Sequence, residues 1–210
     1  MTTGPKTARG LTTMNRIIKA AETEFGRKGY YNTGINDIAT RAKVASGTIY
    51  LYFADKYSLY VHLLTQYGHR IRKEIAMSTE KCANRHELER EGLLAFLRLV
   101  KKRPHMYNII WESLYIDPKL FAEYYETFAS RYKHQLDMAQ GEVTQMDTTV
   151  MAYCLMGISN FLGLKYVFFD KDADLEYVVD EALKFLSLGA LNGHLPPPPA
   201  QAKKEDTESE

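Results

Sequence analysis

Cysteine is nearly absent from this sequence: Cys82 and Cys154 are the two among 210 residues, and they lack metal-ligand spacing. So few thiols exclude a disulfide-stapled scaffold or a zinc ribbon, and both read as buried or idle thiols of a reducing cytoplasm. No apolar run approaches the roughly 18 residues of a membrane helix, and the first twenty residues lack the apolar core of a signal peptide. A soluble, cytoplasmic protein without a membrane partner is expected. Signatures of catalysis are missing as well: HExxH, a nucleophile elbow, a Walker loop, and GxGxxG opening a helix. His62 and His69 could share a helix face, but solvent or core roles suit them better than metal, and Glu89 and Glu91 belong to a charged helix face. No catalytic residue, metal or cofactor is expected, and the chain does not read as an enzyme.

What is present is helical in period. Met14, Ile17, Ile18, Ala21 and Phe25 mark one face of a helix that Thr12 or Thr13 can cap and Gly29 can end in a left-handed conformation. Short helices are expected over Ile35–Ala42 and Ala45–Phe53. A long one capped by Asp55 uses Leu59, Leu63, Leu64, Tyr67, Ile71 and Ile75. Further helices are expected at about 86–102, 104–116, 118–139, 145–169 and 173–190, with Pro104 and Pro118 near the starts of two of them. Alternating strand patterns are missing, so the class is all-α with about nine helices. The ends differ in character. Residues 1–10 read as a flexible basic arm, and 194–210, with Pro196–Pro199 and a charged terminus, as a disordered tail.

Charge is distributed unevenly. Residues 1–56 hold nine Lys/Arg against four acids, a surplus of five, so a chain of net charge +1 has a body four charges negative. A basic end on an acidic body suits a phosphate partner. Within that end, Ala45, Ser46, Gly47 and Thr48 give the second short helix a slim leading edge that could enter a major groove about 12 Å wide. Tyr50 and Tyr52 can donate to phosphate oxygens, Lys56 adds a charge, and Leu51 could touch a thymine methyl. Ile38, Ala39, Ile49 and Phe53 would pack inward on Phe25.

The run from Phe25 through Gly29, Tyr30, Thr33, Ile38, Ala39, Val44, Gly47, Thr48, Ile49, Tyr50, Tyr52, Phe53 and Lys56 to Leu59 resembles the DNA-binding domain of the TetR family of bacterial transcriptional regulators. Three positions depart from that family's pattern. Gly34 replaces a second Thr or Ser, so the cap of the Ile35 helix shifts to Thr33, and Lys43 and Ala45 replace Gly and Ser beside Val44. The resemblance implies a helix-turn-helix domain over 11–56, a connecting helix from about 55 to 80, and a ligand-binding and dimerisation domain over 57–193. It implies DNA contacts from Thr33, Lys43, Ala45, Ser46, Gly47, Thr48, Tyr50, Leu51, Tyr52 and Lys56, on a double-stranded palindromic operator.

The body is rich in aromatics, which suits a core, a dimer interface, or an apolar pocket with a few orienting hydroxyls. Carried over from the family, the pocket candidates are Phe96, Ile110, Trp111, Leu114, Tyr115, Tyr125 and Phe128, with Phe161 opposite them, for a small apolar or aromatic effector. The last two helices are too apolar on too many faces to serve one subunit, and Gly157 and Gly163 would admit a close neighbour, so a homodimer through them is expected. The expected function is a ligand-responsive, sequence-specific repressor. The alternatives are a helical small-molecule-binding protein or enzyme using the aromatic pocket, and an effector-independent DNA-binding protein.

Overall fold

A computed structural model describes residues 7–139 and 141–188. These form nine α-helices and no strand: α1 (Ala8–Lys28), α2 (Ile35–Ala42), α3 (Ser46–Tyr50), α4 (Lys56–Thr79), α5 (Arg85–Lys102), α6 (Pro104–Ile116), α7 (Pro118–Met138), α8 (Thr148–Gly163) and α9 (Leu175–Leu188). The all-α class and helix number expected from periodicity are thus met among the described residues. A π-helical turn, Leu164–Phe169, prolongs α8, where the sequence pattern had suggested α-helix throughout.

Caps explain most boundaries. Asp55 Oδ1 accepts from the Ser58 N–H at 2.6 Å while Ser58 Oγ accepts from the Asp55 N–H at 3.1 Å, a reciprocal pair that starts α4. Asn84 and Asp117 cap α5 and α7. Three expectations need correction. First, α1 begins at Ala8 because Thr7 accepts from the Gly10 N–H at 3.1 Å; Thr12 and Thr13 lie inside the helix and donate back to Ala8 and Arg9 carbonyls, each at 3.0 Å. The basic arm is therefore shorter than ten residues; its residues 1–6, like the tail 194–210, lie outside the described residues. Second, Thr33 does not cap α2. Its hydroxyl is buried and donates to the Gly29 carbonyl at 2.7 Å, leaving Gly34 as the N-cap with its N–H on Asp37 Oδ2 at 2.9 Å. Third, Thr148–Phe169 is a continuous helical stretch long and apolar enough to cross a membrane by length and composition. Its Thr, Ser and Asn residues disguise it in the sequence, and only 17% of its most apolar window is buried within the chain.

The main core runs unbroken from the N-terminal helices into the body, from Ile17, Phe25 and Ile38 through Leu59 and Leu63 to Met106, Ile109 and Val167. A second cluster, with Leu93, Leu94 and Leu97 of α5 against Val178, Val179 and Leu183 of α9, forms the opposite layer. Since α4 carries Leu59, Tyr60 and Leu63 at one end and Ile71 at the other into the main core, the boundary expected near residue 56 falls at the start of a helix that serves both halves.

The two halves meet most closely where α1 ends against α6. Gly26 packs on His105 with no room for a methyl group: a Cβ there would overlap the His105 Cβ. Gly29 turns the chain at φ 78°, and a Cβ on it would lie 2.7 Å from Glu112 Oε1. That carboxylate accepts from the Tyr30 N–H at 2.7 Å. Lys56 Nζ donates to the Tyr30 and Thr33 carbonyls at 2.9 and 3.0 Å and lies 4.3 Å from the Tyr30 ring centroid. Tyr60 Oη donates to the Ile109 carbonyl at 2.5 Å, and Tyr57 Oη to Asp117 Oδ2 at 2.5 Å, an acceptor that pushes the Tyr57 phenol up to about 12.

Two predictions follow from this seam. In an unconstrained helix Gly→Ala stabilises by about 1 kcal/mol, whereas forcing a methyl into a filled space costs roughly 1–3 kcal/mol. Gly26→Ala is therefore expected to lower the thermal midpoint, read by circular dichroism; a raised midpoint would show that α6 moves aside without cost. Burial lifts the Glu112 carboxyl above its ordinary value, against the lowering pull of the Tyr30 N–H and the Lys56 charge. The folded state then holds the proton more tightly than the unfolded state, so stability falls as pH rises from the ordinary carboxylate range through the raised value. Glu112→Gln is expected to remove that slope, so urea midpoints of wild type should drop relative to the variant as pH rises. Parallel curves would count against it.

Candidate nucleic-acid interface and ligand cavity

The short helix α3 owes its placement to two charged devices behind it. Arg16 of α1 donates from Nε to the Ala42 carbonyl at 3.0 Å and from Nη2 to the Lys43 carbonyl at 2.7 Å, closing the C-terminus of α2. Glu24, buried in α1, holds Arg41 and, at 3.0 Å, Lys28, which also reaches Asp37 at 3.3 Å. Burial acts to raise the Glu24 pKa, but the hydrogen bonds and charges of Arg41 and Lys28 outweigh it and hold the carboxyl below its ordinary range. Arg41 and Lys28 are thus engaged inside the domain. The turn between α2 and α3 passes through Lys43 in the left-handed region, φ 55° and ψ 50°, and Val44 returns its N–H to the Ala39 carbonyl at 3.0 Å.

Ile49 and Phe53 face the core, so the opposite face of α3 looks outward. Lys43, Ala45, Gly47, Tyr50 and Leu51 are exposed there, Leu51 to 75%. Ser46 and Thr48 are half-buried at its edge, with Ser46 Oγ donating to Asn36 Oδ1 at 2.6 Å. A Cβ at Gly47 would meet nothing within 4 Å. No packing among the described residues requires a glycine there, although glycine within a helix costs about 0.5–1 kcal/mol against alanine. Of the remaining expected contacts, Thr33 is sequestered under the α1–α2 turn, Tyr52 packs partly against the core, and Lys56 has two donors engaged by carbonyls. The surface also carries exposed Asn36, which the sequence reading passed over. Its bond to Ser46 ties the starts of α2 and α3 together.

The body encloses a cavity of about 720 Å³ between α4, α5, α6, α7 and α8. Phe96, Ile110, Tyr125 and Phe128 line it, as the sequence reading had them. Trp111 and Phe161 instead face a shallower depression of about 350 Å³ with Phe121 and Tyr153; Tyr125, Met156 and Asn160 form the wall shared by the two. Leu114 borders neither, and Tyr115 is 78% exposed, with its carbonyl accepting from Tyr31 Oη at 3.3 Å. The shared wall is polar at its centre. Tyr107 Oη donates to the Asn160 carbonyl, Tyr125 Oη to Asn160 Oδ1 at 3.3 Å, and Asn160 Nδ2 to the Met156 carbonyl at 2.8 Å. Burial raises the pKa of both tyrosines, keeping them neutral donors. The sequence reading missed Arg72, Tyr124 and Arg131, which also line the cavity. A signal existed for the first: Arg72 interrupts the stripe Gly68, Ile71, Ile75 on α4. Among the described residues no group of His, Cys, Asp or Glu could hold a metal ion.

With this geometry in view, comparison with known proteins is informative. Residues 17–63 match the model of the tetR family of bacterial regulatory proteins. The HTH-type transcriptional regulator YdgC of Bacillus subtilis is 29% identical over 97 residues, which cover 43% of this chain and 50% of that protein. The chain thus spans about half the length of that relative. In fold, the fatty acid degradation regulator FadR from Bacillus halodurans is similar with a TM-score of 0.76 at 22% identity, covering 86% of this chain and 96% of the other. FadR from Bacillus subtilis, solved with stearoyl-CoA, is similar with a TM-score of 0.70 at 20% identity, covering 82% and 97%. These relatives are transcriptional regulators rather than enzymes. Residues 17–63 thus match the DNA-binding segment of the tetR family of bacterial regulatory proteins, and the helical fold of the chain is similar to that of such regulators.

Proposed function

We propose that this protein is a cytoplasmic, homodimeric, sequence-specific repressor released from a palindromic operator by an effector held in the 720 Å³ cavity. The observation that carries the DNA reading is Gly47. Its bare backbone lies on the exposed face of α3, among Lys43, Ala45, Tyr50 and Leu51, where no described residue comes close and an external surface can. In this reading Lys43 and Tyr50 hold phosphates, with Thr48, Tyr52 and the third donor of Lys56 at the margin, and Ala45, Ser46 and Leu51 meet base edges. Thr33 supports the turn from beneath. Lys43 stays in a left-handed conformation that glycine would adopt without strain, which suits a position kept for its charge.

Dimerisation is supported by an apolar stripe that nothing among the described residues covers. Val150, Tyr153, Gly157 and Phe161 recur at helical spacing along α8, and a Cβ at Gly157 would meet nothing within 4 Å. Tyr177, Phe185 and Leu188 continue the exposed surface on α9. Pairing two copies here would set two recognition helices about 34–36 Å apart, one turn of DNA. The cavity favours an effector with a long apolar body, and the fold shared with the stearoyl-CoA-bound FadR supports that size class. Helices α4 and α6 both line the cavity and both grip the α1–Tyr30 seam, so a ligand that favours a different setting of either helix would change the spacing of the two α3 copies.

Two measurements test this reading. Gly47→Ala is expected to stabilise the fold by about 0.5–1 kcal/mol and yet weaken binding to the palindrome flanking its own gene, read by fluorescence anisotropy. Undiminished operator affinity would remove α3 from the interface. Phe161→Asp combined with Phe185→Asp is expected to give monomers by light scattering, together with loss of operator binding. Dimers that persist would place the two-fold elsewhere.

A further inference from the structure

We propose that the effector is an anionic amphiphile whose charged head binds between Arg72 and Arg131, and that this charge, rather than the apolar body, triggers release of DNA. The inference rests on the reading of the cavity as the effector site.

Arg72, on α4, lies over the Phe128 ring of α7, its guanidinium carbon 5.1 Å from the ring centroid, and its one side-chain hydrogen-bond contact is with His69 Nδ1 at 3.2 Å. Arg131 follows Phe128 by one turn, and both guanidiniums line the same cavity. Neither meets a carboxylate among the described residues, although other arginines of the body do: Arg85 with Glu89, Arg90 with Glu91 and Asp180, Arg98 with Glu176, and Arg103 with Glu22. The acid that shares the cavity, Glu89, is neutralised by Arg85 and accepts from Tyr132 Oη. His134 also lines the cavity and adds no negative charge. The site therefore carries two positive charges that the described residues leave uncompensated, and burial together with the Arg131 charge lowers the Arg72 pKa. Beside them, the Tyr124 hydroxyl is buried without a partner. A Cβ on Gly68 would lie 3.3 Å from the Tyr124 ring and 3.1 Å from Arg72 Nη1, so the ring edge of Tyr124 and the guanidinium flank the same space.

Arg72 is half-buried and Arg131 exposed; a counter-charge offsets the desolvation of the first, and the guanidinium forks of both match carboxylate and phosphate oxygens. The remaining walls, with Ile71, Ile75, Leu93, Phe96, Ile110 and Phe128, offer an apolar bed for a chain. Arg72 is carried by α4 and Arg131 by α7. An anion between them replaces repulsion with attraction and draws the connecting helix toward α7, whereas a neutral molecule of equal length fills the cavity without that pull.

The test uses the full chain, its operator, and dodecanoate, dodecanoyl-CoA and dodecanol, with binding read by calorimetry and release by anisotropy. At least one of the two anions is expected to bind at least about tenfold more tightly than the alcohol and to release the operator, which the alcohol does not. The carboxylate and thioester arms decide which anionic head is taken. In Arg72→Gln with Arg131→Gln, the affinity ratio of anion to alcohol is expected to fall to about one, while binding of the alcohol shows that the cavity is still formed. Equal binding or equal release by alcohol and anion in wild type would overturn the charge trigger and leave the regulator intact, as would an unchanged ratio in the double variant. Failure of all three to bind would overturn this proposal, and a protein that also ignores the operator would overturn the proposed function.

Discussion

The Glu112 carboxylate beneath the Tyr30 amide is the contact on which the arrangement of the molecule depends. It comes from α6, a helix whose inner face lines the cavity, and it grips the chain at the turn between α1 and α2. Lys56 holds the carbonyls of the same turn from the first residue of α4. One short stretch, Gly29–Thr33, is thus fastened at once to a helix that lines the cavity and to the helix that runs into the body. Such charge-assisted bonds in a half-buried setting are worth more than the same contacts at an exposed surface, and losing one partner leaves the other uncompensated.

This arrangement explains why Lys56 is a positioning residue first. Its ammonium organises the turn that presents α2 and α3, and any phosphate it meets is met with what remains of its hydrogen-bonding capacity. The same logic applies to Arg41 and Lys28, whose charges are absorbed by Glu24 and Asp37. The basic surplus of the first 56 residues overstates the charge available outside, and Lys43 stands out because it is exposed and outside the ion pairs found among the described residues.

Much of the N-terminal half was legible in the sequence because its signals are local. Asp55 followed three residues later by Ser58 marks a cap, and the spacing of Ile38, Ile49 and Phe53 marks a core face. Thr12 and Thr13 looked like the caps of α1, and nothing in the local pattern singled out Thr7, which takes that role. Thr33 looked like a cap because its neighbour Gly34 has no side chain, yet burial under Gly29 is decided by tertiary packing. The cavity was half legible. The family resemblance pointed to Phe96, Ile110, Tyr125 and Phe128, but Arg72, Tyr124 and Arg131 come together only when α4 crosses α7, and no periodicity encodes that crossing. Trp111 and Phe161 were assigned to that cavity because helical spacing does not say on which side of Asn160 a ring falls.

The absence of space between Gly26 and His105 has a consequence for how such molecules can be recombined. A DNA-reading unit and a sensing unit joined by one helix invite exchange at the start of that helix, so that one reader serves many sensors. Here the two surfaces are fitted to each other at a point where not even a methyl group is tolerated, and the contact lies on α6, some fifty residues beyond the obvious splice. A chimera cut near residue 56 would bring together an α1 and an α6 with separate histories. Exchange without misfit needs the end of α1 and the outer face of α6 to travel as a pair, which makes the reader a discontinuous module.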